Sequence, residues 1–146
     1  MLHSLPEGPM DHFARVWQSL GPDRLDGIDE IYHPEMVFID PSGELHGRDR
    51  FKAHLEALYR DVIECTFALG LPLGGPQHWA QPWVMTLAHP KLNGGQPFQV
   101  EGISELRIRD GLIIRHRDYF DLGQMLYEQV PVLGVATRWL KERLAP

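Results

Sequence analysis

The sequence predicts an α+β domain in which N-terminal helices pack on the concave face of a cone-shaped, curved antiparallel sheet. Three observations lead there. Apolar residues recur at helical spacing early in the chain, the second half carries four strand-like runs, and Gly or Pro stands between those runs.

Met10, Phe13, Ala14, Trp17 and Leu20 define the first helix, which Gly21-Pro22 stops. Asp23 is placed to cap a short second helix carrying Leu25, Ile28 and Ile31, and His33-Pro34 ends it. Residues 36–39 read as a short strand closed by the turn Asp40-Pro41-Ser42-Gly43. A third helix over 49–60 presents Phe51, His54, Leu55 and Leu58 on one face. Strands follow over 62–69, 79–88, 98–109 and 112–120, with Asn93-Gly94-Gly95 and Asp110-Gly111 as hairpin turns. After Asp121 the pattern is helical again over 122–129, is interrupted at Pro131, and continues with Val135, Ala136, Trp139, Leu140 and Leu144.

A chain of 146 residues fits one domain spanning 1–146 and is long enough to bury a core with a pocket in it. The formal net charge of −6 and the lack of a Lys/Arg run argue against nucleic acid as a partner. The lone cysteine, Cys65, excludes an internal disulfide and a cysteine metal cluster, and its neighbours Ile63 and Phe67 suggest a buried thiol. No apolar run in residues 1–9 has the length of a signal peptide, and none later approaches the ~20 residues of a membrane span. A cytoplasmic protein without membrane contact is the expectation.

The run from Arg115 to Asp121 holds the most chemistry. On a strand, residues two apart share a face, so Ile114, His116, Asp118 and Phe120 point one way and Arg115, Arg117, Tyr119 and Asp121 the other. On the preceding strand Gly102, Ser104, Leu106 and Ile108 form a small or apolar row, and Glu101, Glu105, Arg107 and Arg109 a charged one. The first row of each strand is expected inside, which sets a carboxylate and an imidazole among apolar side chains, where general acids and bases are made. Arg115 and Arg117 are expected outside, paired with Glu101 and Glu105. Asp118 also fits a buried ion pair and His116 a hydrogen-bonded core histidine. Asp40 serves as a turn-former whatever else it does, and Asp121 is placed to cap the next helix. His54, on the apolar face of its helix, is a pocket or a core residue. His116 and Asp118 lack the third ligand that a zinc site normally needs, and no phosphate loop or dinucleotide fingerprint occurs. Neither metal nor cofactor is expected.

Element order, length and motif placement together resemble the nuclear transport factor 2-like superfamily, with its cystatin-like roll, over nearly the whole chain, and in particular its SnoaL-like and ketosteroid-isomerase-like members. Phe38-Ile39-Asp40-Pro41-Ser42-Gly43 followed by His46-Gly47 is similar to the ketosteroid isomerase segment whose Asp before Pro is the catalytic base. His116-Arg117-Asp118-Tyr119-Phe120-Asp121-Leu122 resembles the last strand of limonene-epoxide hydrolases, which implies a catalytic Asp118. Some SnoaL-like cyclases use an Asp near position 121. Neither constellation is complete: Val16 and Ser104 stand where ketosteroid isomerases carry a Tyr and an Asp, and Trp83 and Met85 where epoxide hydrolases carry an Arg and an Asp. The chain is also similar to uncharacterised bacterial proteins of the superfamily that share Trp83-Val84-Met85, His89-Pro90, Gly102-Ile103-Ser104 and the run from His116 to Asp121.

The expected site has Asp118, His116 and Asp40 as its acid–base groups, with Asp118 the main base or acid, His116 its partner and Asp40 a second carboxylate across the cone. Trp17, Phe38, His54, Leu58, Trp83, Met85, Ser104, Leu106 and Phe120 are expected to form a ligand-binding wall. The expected function is a cofactor-independent enzyme of isomerase, cyclase or hydrolase type acting on a small hydrophobic molecule. A non-catalytic carrier or sensor of such a ligand and a dimeric interaction module are the alternatives. The resemblance implies a homodimer, expected through the outer sheet face, where Ile103 interrupts the charged row.

Overall fold

The computed structural model describes residues 7–146. The amino-terminal stretch read above for a signal peptide therefore lies largely outside the described residues. Helix α1 spans Pro9–Ser19, α2 Gly27–Ile31 and α3 Arg48–Asp61. The strands are β1 Tyr32–Asp40, β2 Gly43–His46, β3 Glu64–Leu69, β4 Leu73–Gly74, β5 His78–Ala88, β6 Phe98–Arg109 and β7 Leu112–Phe120; helices α4, Leu122–Met125, and α5, Pro131–Leu144, complete the order. No helix among the described residues is long and apolar enough to cross a membrane.

The strands form one curved sheet in the order β2-β1-β7-β6-β5-β3, with β4 on the side of β5. Every pairing is antiparallel except β1 with β7, which is parallel. The two hairpins β5–β6 and β6–β7 are the backbone of the sheet. Between β6 and β7 the turn is tight because Asp110 and Gly111 both adopt positive φ, at 54° and 78°, a geometry that Asp and Gly tolerate best.

The concave face is closed by α1, α2 and α3. Met10, Phe13, Val16 and Trp17 of α1, Ile28 and Ile31 of α2, and Phe51, Leu55 and Tyr59 of α3 are buried, and with Tyr32, Met36, Phe38, Leu106 and Ile113 they form one continuous core. Phe51 is fully inaccessible and packs against Tyr32, Phe38 and Trp17.

Several expectations are corrected. The second helix begins at Gly27 after Asp26, four residues beyond Asp23. Strand β1 starts at Tyr32 and runs through Pro34, because the register with β7 shifts between Tyr32 and Val37, and such an irregularity admits a residue without an N–H. Strands β2 and β4 have no counterpart in the pattern reading. Ile113, not Ile114, is buried: a register shift after Arg107 pairs Ile108 with Ile113 and inverts the alternation at the start of β7. The segment over 122–129 breaks at Leu126 into α4 and a 3-10 turn. In α5, Val135, Trp139, Leu140 and Leu144 face outward, so this helix is amphipathic without burying its apolar side. On the outer sheet face Glu105 takes Arg115 at 3.0 Å, whereas Arg117 lies over the Tyr119 ring at 4.7 Å from its centroid.

Because Phe51 joins α3 to β1 and α1 in the apolar centre, Phe51→Ala should cost roughly 3–5 kcal/mol. A shifted midpoint in urea unfolding measures it, and a loss under about 1 kcal/mol would show that this contact is dispensable.

Candidate active site

The open end of the cone leads into a cavity of about 210 Å³. Its wall is chiefly apolar, with Phe13 and Trp17 from α1, Phe38 from β1, Phe67 and Leu69 from β3, Trp83 and Met85 from β5, and Phe120 from β7. Polar groups enter it at three places, one of them α3 with His54 and Tyr59. Ser104, His116 and Asp118 lie on the sheet side, while Asp40 and Ser42 lie at the turn after β1.

Strand alternation delivers the first group. Leu106 pairs with His116 and Ser104 with Asp118 across the β6–β7 ladder, with Phe120 opposite Gly102. His116 is 2% exposed and lies within 6.2 Å, centroid to centroid, of the rings of Phe13, Trp17, Tyr32, Phe38 and Phe51. A polar ring in such surroundings needs partners for both nitrogens. Nδ1 meets the Tyr32 hydroxyl at 2.7 Å and Nε2 meets Asp118 Oδ1 at 2.5 Å. The Ser104 hydroxyl donates to the same Oδ1 at 2.5 Å, and the Trp83 indole N–H donates to Ser104 Oγ at 2.9 Å. The Trp17 indole N–H donates to the Tyr32 hydroxyl at 3.0 Å.

Burial holds the Tyr32 hydroxyl well above the usual phenol range, offset in part by the Trp17 bond and reinforced by the nearby Asp118 charge. Tyr32 therefore remains an O–H donor. Asp118 differs from its partners in exposure, its side chain being 17% accessible. Its Oδ1 accepts from the Ser104 hydroxyl and meets His116 Nε2, whereas Oδ2 makes no hydrogen bond among the described residues and is not sealed from solvent. Beyond Ile39 and Arg117 strands β1 and β7 part, and Asp40, Pro41, Arg117, Asp118, Tyr119 and Phe120 line an open groove there. Asp118 thus stands between an apolar cavity and water.

Of the residues expected on the wall, Trp17, Phe38, His54, Leu58, Trp83, Met85, Ser104 and Phe120 line the cavity. Leu106 does not: it is fully inaccessible within the core. Leu58 is half exposed and sits at the rim. Asp40 borders the cavity, but its Oδ1 accepts from the Ser42 amide at 2.8 Å, the Ser42 hydroxyl at 2.6 Å and the Gly43 amide at 3.1 Å, which is a turn-former's role. Asp121 is outside the wall and caps α4 through Gln124, with Lys141 as ion partner holding its carboxyl below the usual range.

Tyr32 escaped the pattern reading because it abuts a helix in sequence and its partner strand is parallel. The signal that points to it is the requirement of a buried imidazole for a second partner. Tyr59 and Cys65 also line the cavity. Burial pushes the Cys65 thiol up to about 11, countered in part by the Tyr59 hydroxyl.

A SnoaL-like domain model matches residues 11–116, and the chain belongs to the SnoaL-like domain family. No curated protein matches the chain. Among solved structures, the chain is similar to a putative SnoaL-like polyketide cyclase from Jannaschia sp. CCS1, with a TM-score of 0.74 at 15% identity over 90% of this chain and 99% of that one. It is similar to a hypothetical protein with a ketosteroid isomerase-like fold from Catenulispora acidiphila in complex with trimethylamine, with a TM-score of 0.70 at 17% identity over 88% and 95%. It also resembles AclR, a putative hydroxylase from Streptomyces galilaeus, with a TM-score of 0.65 at 19% identity over 93% of each chain. These likenesses show the fold.

Two outcomes check the site's construction. A Cβ on Gly102 would stand 2.2 Å from the Trp83 ring, so Gly102→Ala should displace the indole from Ser104 and cost about 1–3 kcal/mol; an unchanged midpoint and Trp emission would contradict this packing. For Cys65, the unfolded chain loses the thiol proton near 9.0 and the folded chain near 11. Its contribution is complete below the lower value and is lost as pH rises between the two. Cys65→Ser should flatten that part of the stability curve, and an identical curve would contradict a half-buried thiol held neutral.

Proposed function

We propose that this chain is a cofactor-independent acid–base enzyme that moves a proton on a small hydrophobic molecule, with Asp118 as the base. The single observation that carries the reading is the asymmetry of the Asp118 carboxylate. One oxygen is held by Ser104 and His116, and the other is left free beside an aromatic cavity. A base held in place is positioned without further ordering, and an apolar wall excludes the water that would weaken its interactions.

In this reading a ligand lies flat among Trp17, Phe38, Phe67 and Trp83, with an acidic C–H beside a carbonyl directed at Asp118. Oδ2 takes that proton, the C–H electron pair moves into the carbonyl, and an enolate oxygen forms. His54 and Tyr59 on α3 line the facing wall, where a donor would meet that oxygen. Where a double bond is conjugated to the enolate, return of the proton from Asp118 to its far carbon completes an isomerisation, while attack of the enolate carbon on a second carbonyl forms a ring and an alkoxide that takes the proton back from Asp118. His116 acts as a fixed donor to the base. Asp40 shapes the rim through its turn. The names of the similar structures, which include a putative polyketide cyclase and a ketosteroid isomerase-like fold, support proton chemistry on carbonyl compounds.

The test uses 2-tetralone as probe ketone in D₂O. Its binding is read from quenching of Trp17 and Trp83 emission, and its α-deuteration by NMR. The wild type should bind and exchange, and Asp118→Asn should keep binding while exchanging about a hundredfold more slowly or less. Equal exchange by the variant removes Asp118 as base, and binding without exchange by the wild type makes the chain a carrier.

A further inference from the structure

Tyr32 takes no part in the proton transfer proposed above, yet it is fully buried and its hydroxyl stands at the centre of a chain of polar contacts. We propose that Tyr32, itself oriented by Trp17, is a positioning residue that fixes the tautomer of His116 and so determines which oxygen of Asp118 is left for the substrate. This rests on the reading of Asp118 as base.

Each hydrogen bond along this chain has a direction set by its donor. An indole N–H can only donate, so the bond from Trp17 Nε1 occupies a lone pair of the Tyr32 hydroxyl. Burial keeps that hydroxyl protonated, and the acceptor in reach of its own hydrogen is His116 Nδ1, at 2.7 Å. If Nδ1 carried a hydrogen instead, Tyr32 would face two donors and its own hydrogen would point into an apolar interior without an acceptor. The neutral ring therefore bears its hydrogen on Nε2, which points at Asp118 Oδ1.

The other end of the chain obeys the same rule. Trp83 Nε1 donates to Ser104 Oγ, and the Ser104 hydrogen is directed at Oδ1. Two indoles on different elements, α1 and β5, thus orient every hydrogen between them, and both directed donors converge on a single carboxylate oxygen. The Tyr32 and His116 rings lie near-parallel, 14° between planes with centroids 5.9 Å apart, joined by the hydrogen bond between them. Without Tyr32 only the Asp118 carboxylate would act on the position of the ring hydrogen, and with the hydrogen on Nδ1 the imidazole would present a lone pair to that carboxylate.

The experiment is ¹⁵N NMR of the histidine rings in the substrate-free protein, the His116 signals being assigned by their loss in His116→Gln. In the wild type Nδ1 should be pyridine-like and Nε2 pyrrole-like at neutral pH. Tyr32→Phe should lose that single-tautomer pattern and give averaged shifts, whereas Asp118→Leu, which removes the other partner, should leave Nδ1 pyridine-like. A pyrrole-like Nδ1 in the wild type overturns the proposal. A tautomer unchanged in folded Tyr32→Phe but lost in Asp118→Leu overturns it as well, by assigning the selection to the carboxylate. These outcomes do not depend on turnover, so failure of exchange with the probe ketone would sink the reading of Asp118 without altering them.

Discussion

The structure depends on satisfying one imidazole inside an aromatic cone. His116 has five rings around it and is buried, and a buried nitrogen left without a partner costs about 1–3 kcal/mol. Its two bonds draw in groups from separate elements: Tyr32 at the start of β1, Trp17 on α1, Asp118 further along β7, and through Asp118 also Ser104 on β6 and Trp83 on β5. The chain of contacts therefore crosses the whole concave side. It ties the first helix to the centre of the sheet as the hydrophobic core does, with the difference that hydrogen bonds also fix direction.

That constraint links stability to chemistry. A carboxylate in a greasy cavity is costly unless it is bonded, and a fully bonded carboxylate has nothing left for a ligand. Asp118 is held at one oxygen and left open at the other. The close approach of Trp83 to the backbone at Gly102 serves the same end, since a residue with a side chain at 102 would push away the indole that orients Ser104. The aromatic wall then fixes what is admitted by shape and polarity, and the groove between the ends of β1 and β7 gives the carboxylate contact with solvent.

The sheet side of this arrangement was legible in the sequence because strand geometry is local. Alternation puts His116, Asp118 and Phe120 on one face and Asp110-Gly111 fixes the hairpin, while the register shift after Arg107 is what brings Ser104 opposite Asp118. The rest was not legible, because it rests on long-range pairing. Nothing local says that β1 lies parallel to β7, so the approach of Tyr32 to His116 has no signature in the chain around either residue. The register shift that buries Ile113 in place of Ile114 is equally silent in an unbroken apolar run. Leu106 shows the limit of an alternation argument: it faces inward as expected, yet it is fully enclosed in the core and not on the cavity wall. The turn after Asp40 follows from the Asp-Pro-Ser-Gly run itself, and the three bonds to Asp40 Oδ1 show how local that chemistry is.

The central claim concerns where hydrogens lie around Asp118, and neutron diffraction from a deuterated crystal observes them directly. The account predicts deuterium on Tyr32 Oη directed at Nδ1, on His116 Nε2 and Ser104 Oγ directed at Oδ1, and none on either oxygen of Asp118. Deuterium on an Asp118 oxygen, or on Nδ1 of His116, would contradict it.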